Sequence, residues 1–468
     1  MKATRPELAT ARSSMHRIDV HKLADEAKFN SFHWSVLIWC FVILVLDGYD
    51  LAVAGTALPS IMKAMNVDAA TAGFMASSAL FGMMFGAIFL GTLSDRIGRR
   101  WTISICVFLF SVFTAAAGFA SDPYTFSVLR FFAGLGIGGV MPNIVAQMTE
   151  YSPKTIRSRM VTIMFSGYAV GGILAALIGK QFIETYGWQS VFLAAGAPVL
   201  LIPFILKMMP ESLPFLIKHH DDTHLRQVVS RLVPDMRMEA HEEFLLPAED
   251  KAGGAPVRQL FQDGRGLSTI MFWIAFFMGL FMIYALSSWL TKLMAMAGYS
   301  LGSALTFSLA LNVGAVVGAV SGGWLADKFN IKHVLVIMYA LGAVFLYMMT
   351  LKTSQEVLYV IVALVGTCTT GAQIVAYAYC GQYYPMAIRS TGIGMAAGIG
   401  RTGAIMAPLL IGLLVSLKLP LEQNFIAIAT AGALGAIALA FINHRASAST
   451  HHPDAVREAI PALREVPV

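Results

Sequence analysis

Gly91-Thr92-Leu93-Ser94-Asp95-Arg96 returns as Gly323-Trp324-Leu325-Ala326-Asp327-Lys328, and Pro153, Arg157 and Ser158 return as Pro385, Arg389 and Ser390, every pair 232 residues apart. Two separate motifs sharing one offset of about half the chain indicate a duplicated half-protein rather than a chance likeness of loops. The fold must therefore be built from two similar halves. In a membrane chain such a pair of halves is the mark of a transporter, with the site between them.

The membrane assignment comes from the residues between the motifs. Hydrophobic residues make up 57% of the chain and charged ones 13%, where a soluble chain carries about a quarter charged. Apolar stretches able to cross a bilayer, which takes about 20 helical residues, fall near 33–58, 71–93, 101–120, 123–148, 159–180, 189–209, 267–296, 302–326, 332–351, 356–382, 389–417 and 421–443. An all-α protein of twelve transmembrane helices is predicted, six to each half. Its parts are an N-terminal segment 1–30, a first half 31–209, a linker 210–266, a second half 267–443 and a tail 444–468.

With both termini in the cytoplasm, the outside loops hold only Lys63, Lys180, Lys292, Lys352 and Lys418, and Arg130 and Arg401 lie inside spans. Every other Lys and Arg is then cytoplasmic, as the positive-inside rule requires. The net charge of +6 is explained by topology and anionic lipid headgroups, and no nucleic acid is needed. Residues 1–30 show no signal-peptide pattern. Cys40, Cys106, Cys368 and Cys380 sit in apolar stretches without metal-type spacing. His219-His220 in the linker lacks further ligands. No metal or cofactor is expected, and no nucleophile with its base emerges to suggest an enzyme.

Asp47-Gly48-Tyr49-Asp50 interrupts an otherwise apolar first span. At a separation of three the carboxyls share a helix face. Ionised acids in hydrocarbon are costly, so the pair faces a cavity or a partner, and at least one is suited to carry a proton; a pair neutralised by Arg130 and kept for packing is the alternative. Arg401 lies about 18 Å into its span, near the midplane. Its planar fork suits a carboxylate, which makes it the first choice for a substrate anion, with Arg130 as the second. By depth, Asn143, Phe165, Tyr284, Trp289, Asn312, Gln373 and Tyr377 could line an apolar slot with a few polar groups. The buried amides Asn312 and Gln373 are the stronger members, because an amide in hydrocarbon must find partners.

The loop Gly91-x-Leu93-x-Asp95-Arg96-x-Gly98-Arg99-Arg100, its second copy and the twelve spans together resemble the major facilitator superfamily. That resemblance implies a cytoplasmic gate formed by Asp95, Arg96, Glu150, Arg157, Asp327, Lys328 and Arg389, whose pairs break when that face opens. The Asp-Gly-x-Asp of the first span, Arg130 to Asn143, Tyr284 to Leu290 and Gly398 to Ala404 resemble the aromatic acid:proton symporters, and within them the benzoate transporters. The likeness runs from about 28 to 445. Thr291 departs from it, standing where that family is expected to have a proline. The resemblance implies a monomeric importer of benzoate or a hydroxylated benzoate with a proton, in the bacterial inner membrane. Transport of a non-aromatic acid, efflux of amphipathic compounds, or a membrane sensor acting through 210–266 remain as alternatives.

Overall fold

The computed structural model describes residues 17–234, 243–245, 256–351, 353–384, 388–444 and 447. Twelve helices long and apolar enough to cross a membrane lie among them. In the first half these are α1 (Ser31–Met65), α2 (Ala69–Ile97), α3 (Arg99–Ala117), α4 (Pro123–Tyr151) and α5 (Arg157–Tyr186), with α6 (Gln189–Met208). In the second they are α7 (Gly266–Met296), α8 (Leu301–Lys328), α9 (Ile331–Met348), α10 (Gln355–Tyr383), α11 (Arg389–Ser416) and α12 (Leu421–Phe441). Two of these spans are interrupted. A 3-10 turn at Ala197–Leu201, where Pro198 and Pro203 break the hydrogen-bond ladder, divides α6. A π-helical turn at Thr367–Gly371 divides α10.

The ends of the helices follow local chemistry. Asp68 and Asp122 cap α2 and α4 by accepting from the backbone N–H groups of Thr71 and Thr125. Hydrogen bonds from the Thr71 and Thr125 hydroxyls, then from their N–H groups, hold both carboxyls below the usual carboxylate range. Asn30 caps α1 through the N–H groups of Phe32 and His33 and also donates to the carbonyls of Arg231 and Leu232, which end a linker helix at Asp222–Leu232. The all-helical expectation meets one small exception: strands β1 (Arg17–Asp19) and β2 (Glu243–Leu245) pair in parallel and join the N-terminal segment to the linker.

Close helix approach repeats across the halves. A Cβ on Gly82 would strike the Phe131 carbonyl oxygen, and one on Gly314 would strike that of Ala363; Gly86 against Leu135 recurs as Gly318 against Thr367, and Gly171 against Val45 as Gly403 against Phe277. All these pairs obey the offset of 232 found in the motifs. The duplication therefore extends to which backbones touch, with small residues admitting the contact. Gly55 lies against the carbonyl of Ser287, its own counterpart at that offset, so this contact marks the pseudo-twofold axis between the halves.

One set of contacts between the halves lies toward the helix ends remote from the chain termini. Gly73 near the start of α2 packs on Pro408 and Gly412 near the end of α11, and Ser77 donates to the Ile405 carbonyl at 2.9 Å. The symmetry-related joint is between α5 and α8, where Gly179 meets Leu305 and Lys180 donates to Thr306 at 3.2 Å.

Candidate functional site

Within the first half, α1 presents Asp47 and Asp50, each 1% exposed. Asp50 is fully engaged on one side: Arg130 Nη1 donates to its Oδ1 at 2.6 Å and Nη2 to its main-chain carbonyl at 3.1 Å. The same Nη1 reaches Thr114 Oγ1 on α3 at 2.6 Å, and the guanidinium lies 5.9 Å from the centre of the Phe192 ring. Arg130, itself 1% exposed, is thus held by α1, α3 and α6. A charge pair this deep must be well hydrogen-bonded to survive desolvation. Thr114 is legible afterwards as a hydroxyl one face away from Arg130, but a threonine in an apolar helix gives no distinct signal beforehand.

Asp47 stands differently. Its Oδ1, like Asp50 Oδ2, is buried with no hydrogen-bond partner among the described residues, but the cation acting on its charge is Arg401, from the opposite half. Arg401 keeps partial access to solvent, unlike Arg130. Tyr284 lies 3.5 Å from its Nη1, and Tyr168 and Tyr377 share its field. This cluster draws on α1 and α5 from the first half and α7, α10 and α11 from the second. Tyr168 was not among the residues expected from sequence; its backbone packs against Gly48, beside Asp47. The cluster can hold a carboxylate at Arg401, a proton at Asp47, and phenol rings around both.

Other members of the expected slot sit in varied surroundings. Tyr377 meets Phe276 edge-on with ring centres 4.8 Å apart. Asn312 lies against Gly172 across the halves, its Nδ2 donating to the Ser308 carbonyl. Thr291, at the position expected to be proline, shares a 2.8 Å hydrogen bond with the Ser308 hydroxyl and so ties α7 to α8. Asn143 donates to the carbonyls of Gly139 and Leu90, and Trp289, wholly buried, donates to the Pro408 carbonyl at 3.1 Å; both serve joints between helices. Phe165 packs on the edge of the core. Gln373 bonds to Tyr339.

At the helix ends nearest the termini, Glu150 pairs with Arg99 and accepts from the Leu213 N–H. Arg157 pairs with Asp25 of the N-terminal segment and donates to the Ser152 carbonyl. Arg96 is exposed, and exposed Lys328 lies 5.1 Å over the Trp324 ring. The side chains of Asp95, Asp327 and Arg389 lie outside the described residues. Glu211, which sequence reasoning passed over, accepts from the N–H groups of Arg99 and Arg100 at 2.7 and 3.3 Å. It fills the space beside Gly98, the N-cap of α3, which as a glycine has no side chain to cap the helix. The second copy has Asn330 at this place and caps α9 directly. Glu211→Ala is expected to destabilise the first half by about 1–2 kcal/mol, as loss of a helix cap does, read as a lower thermal unfolding midpoint in detergent.

The Major Facilitator Superfamily model matches residues 40–322 and 308–467. The chain belongs to the major facilitator superfamily. It is a multi-pass membrane transporter and not an enzyme, and its curated relatives agree. A benzoate transport protein of Acinetobacter baylyi is 43% identical, the match covering 92% of this chain and 93% of that protein. A 4-hydroxybenzoate transporter of Pseudomonas putida is 33% identical, covering 91% and 97%. Among solved structures, the xylose transporter XylE from E. coli, in a partially occluded inward-open conformation, superposes with a TM-score of 0.69 at 18% identity, covering 88% of this chain and 97% of that one. That likeness concerns the fold alone.

Proposed function

We propose that this transporter imports an aromatic monocarboxylate, benzoate or a hydroxylated benzoate, together with a proton across the bacterial inner membrane, by alternating access. What supports the reading is that the charge of Arg401, from the other half, reaches Asp47, while Asp50 is already ion-paired with Arg130. An ionised Asp47 competes with a substrate carboxylate for Arg401, and a protonated Asp47 leaves Arg401 to the substrate. Proton and anion then favour the same loaded state, which is the condition for coupling. Relatives that carry benzoate and 4-hydroxybenzoate support the substrate class. The phenol rings of Tyr168, Tyr284 and Tyr377 supply the apolar walls and orienting hydroxyls such a ring needs.

Both termini are assigned to the cytoplasm on the distribution of Lys and Arg. The contacts between Gly73 and Gly412, Gly55 and Ser287, and Lys180 and Thr306 then hold the outer face together, which fits an inward-facing state. The pairings of Arg157 with Asp25 and of Glu150 with Arg99 fit an open inner gate. Labelled benzoate should accumulate in proteoliposomes under an inward proton gradient and stop doing so with a protonophore. Uptake no greater than in protein-free liposomes, which leak protonated benzoic acid, would remove the benzoate assignment.

A further inference from the structure

Gln373 is 4% exposed and stands on α10 one helical turn before Tyr377. One end of its amide, drawn as Nε2, is buried without a partner. The other end meets the Tyr339 hydroxyl at 3.2 Å, and that hydroxyl lies 3.1 Å from the Ala275 carbonyl oxygen. A phenol has one proton to donate. If the amide carbonyl faces Tyr339, two acceptors share that proton and a buried NH2 is left unpaired. Turned over, the amide donates to the Tyr339 oxygen, Tyr339 donates to Ala275, and the atom left over is a carbonyl oxygen, the milder orphan. Amide ends are assigned from the hydrogen-bond network, and this network selects the second arrangement.

Two further features fix Gln373 in place. A Cβ at Gly279 would press on both the Gln373 amide and the Tyr339 hydroxyl, so α7 leaves room for the pair. The π turn Thr367–Gly371 ends two residues before Gln373. Such turns place an extra residue in the helix, rotate the face that follows and recur at functional sites. Tyr377, next on this face, lies in the field of Arg401.

We infer that Gln373 is a specificity-determining residue, held by Tyr339 so that its amide carbonyl accepts a hydrogen bond from a ring hydroxyl of the bound acid. The inference rests on the aromatic-acid reading above. Benzoate, with no hydroxyl, leaves the carbonyl without a donor; a suitably hydroxylated ring gains one net hydrogen bond, on the order of fivefold in affinity. Tyr339 acts only through Gln373 and is a positioning residue.

The test compares wild type, Gln373→Leu and Tyr339→Phe in proteoliposomes, with KM and kcat measured for benzoate, 3-hydroxybenzoate and 4-hydroxybenzoate. Wild type should favour at least one hydroxylated acid about fivefold in KM. In both variants that ratio should approach one, with kcat changing equally for all three acids if it changes. A ratio that survives in either variant overturns the inference, and so does an equal weakening of all three acids, the signature of a merely structural role. Wild type that carries benzoate without preferring any hydroxylated acid overturns the inference alone, whereas wild type that carries none of them overturns the aromatic-acid reading with it.

Discussion

Asp47→Asn is expected to abolish proton-driven accumulation of substrate while substrate exchange across the same membrane continues. Asparagine has nearly the shape of a protonated aspartic acid and cannot release a proton, so the variant resembles the loaded carrier permanently. Arg401, relieved of its competing carboxylate, stays available to the anion. In proteoliposomes preloaded with unlabelled benzoate, counterflow of labelled benzoate should persist, because exchange moves no net proton. Accumulation under an imposed proton gradient should fall to the level of simple equilibration. Retention of gradient-driven accumulation by the variant would sink the role given to Asp47. Asp50→Asn is a different experiment, since its partner is Arg130 and not Arg401.

Arg130→Met should cost about 3–5 kcal/mol of stability, the usual result of removing one member of a buried ion pair and leaving the other charge uncompensated. Both partners are 1% exposed, so water cannot replace the guanidinium, and Thr114 alone cannot neutralise a carboxylate. The loss should appear as a large drop in the thermal unfolding midpoint and in the yield of monodisperse protein. Pairing the change with Asp50→Asn should restore most of it, because the double variant buries no lone charge. A double variant no more stable than Arg130→Met would mean that the arginine acts through packing against Phe192 instead.

The spans and the duplication were legible because hydropathy and motif spacing are local or repeated properties of the chain. All twelve spans are present, and the offset of 232 recurs in glycine contacts that no motif search would list, such as Gly82 with Phe131 and Gly314 with Ala363. Asp47, Asp50, Arg130 and Arg401 stood out because charge in hydrocarbon is expensive wherever it occurs. Tyr168, Thr114, Tyr339, Asp25 and Glu211 did not, for two reasons. Hydroxyl residues are ordinary in apolar helices, and acids are ordinary in polar flanking segments, so their roles exist only through the partner each one meets. Within the expected slot, Asn143 and Trp289 illustrate the same limit: depth in the membrane was readable, but direction was not, and both turn toward helix backbones.

The sequence by itself determined that this chain crosses the membrane in two related halves and carries charges there that demand company, because the cost of burying apolar or ionised groups depends on residue type and spacing. The tertiary structure alone decided the pairings. Arg130 chooses Asp50, 80 positions away, and Glu211 caps a helix whose first residue, Arg99, is 112 positions away, because helix crossings bring together side chains from separate spans. That choice leaves Asp47 to the charge of Arg401, which reaches it from the other half.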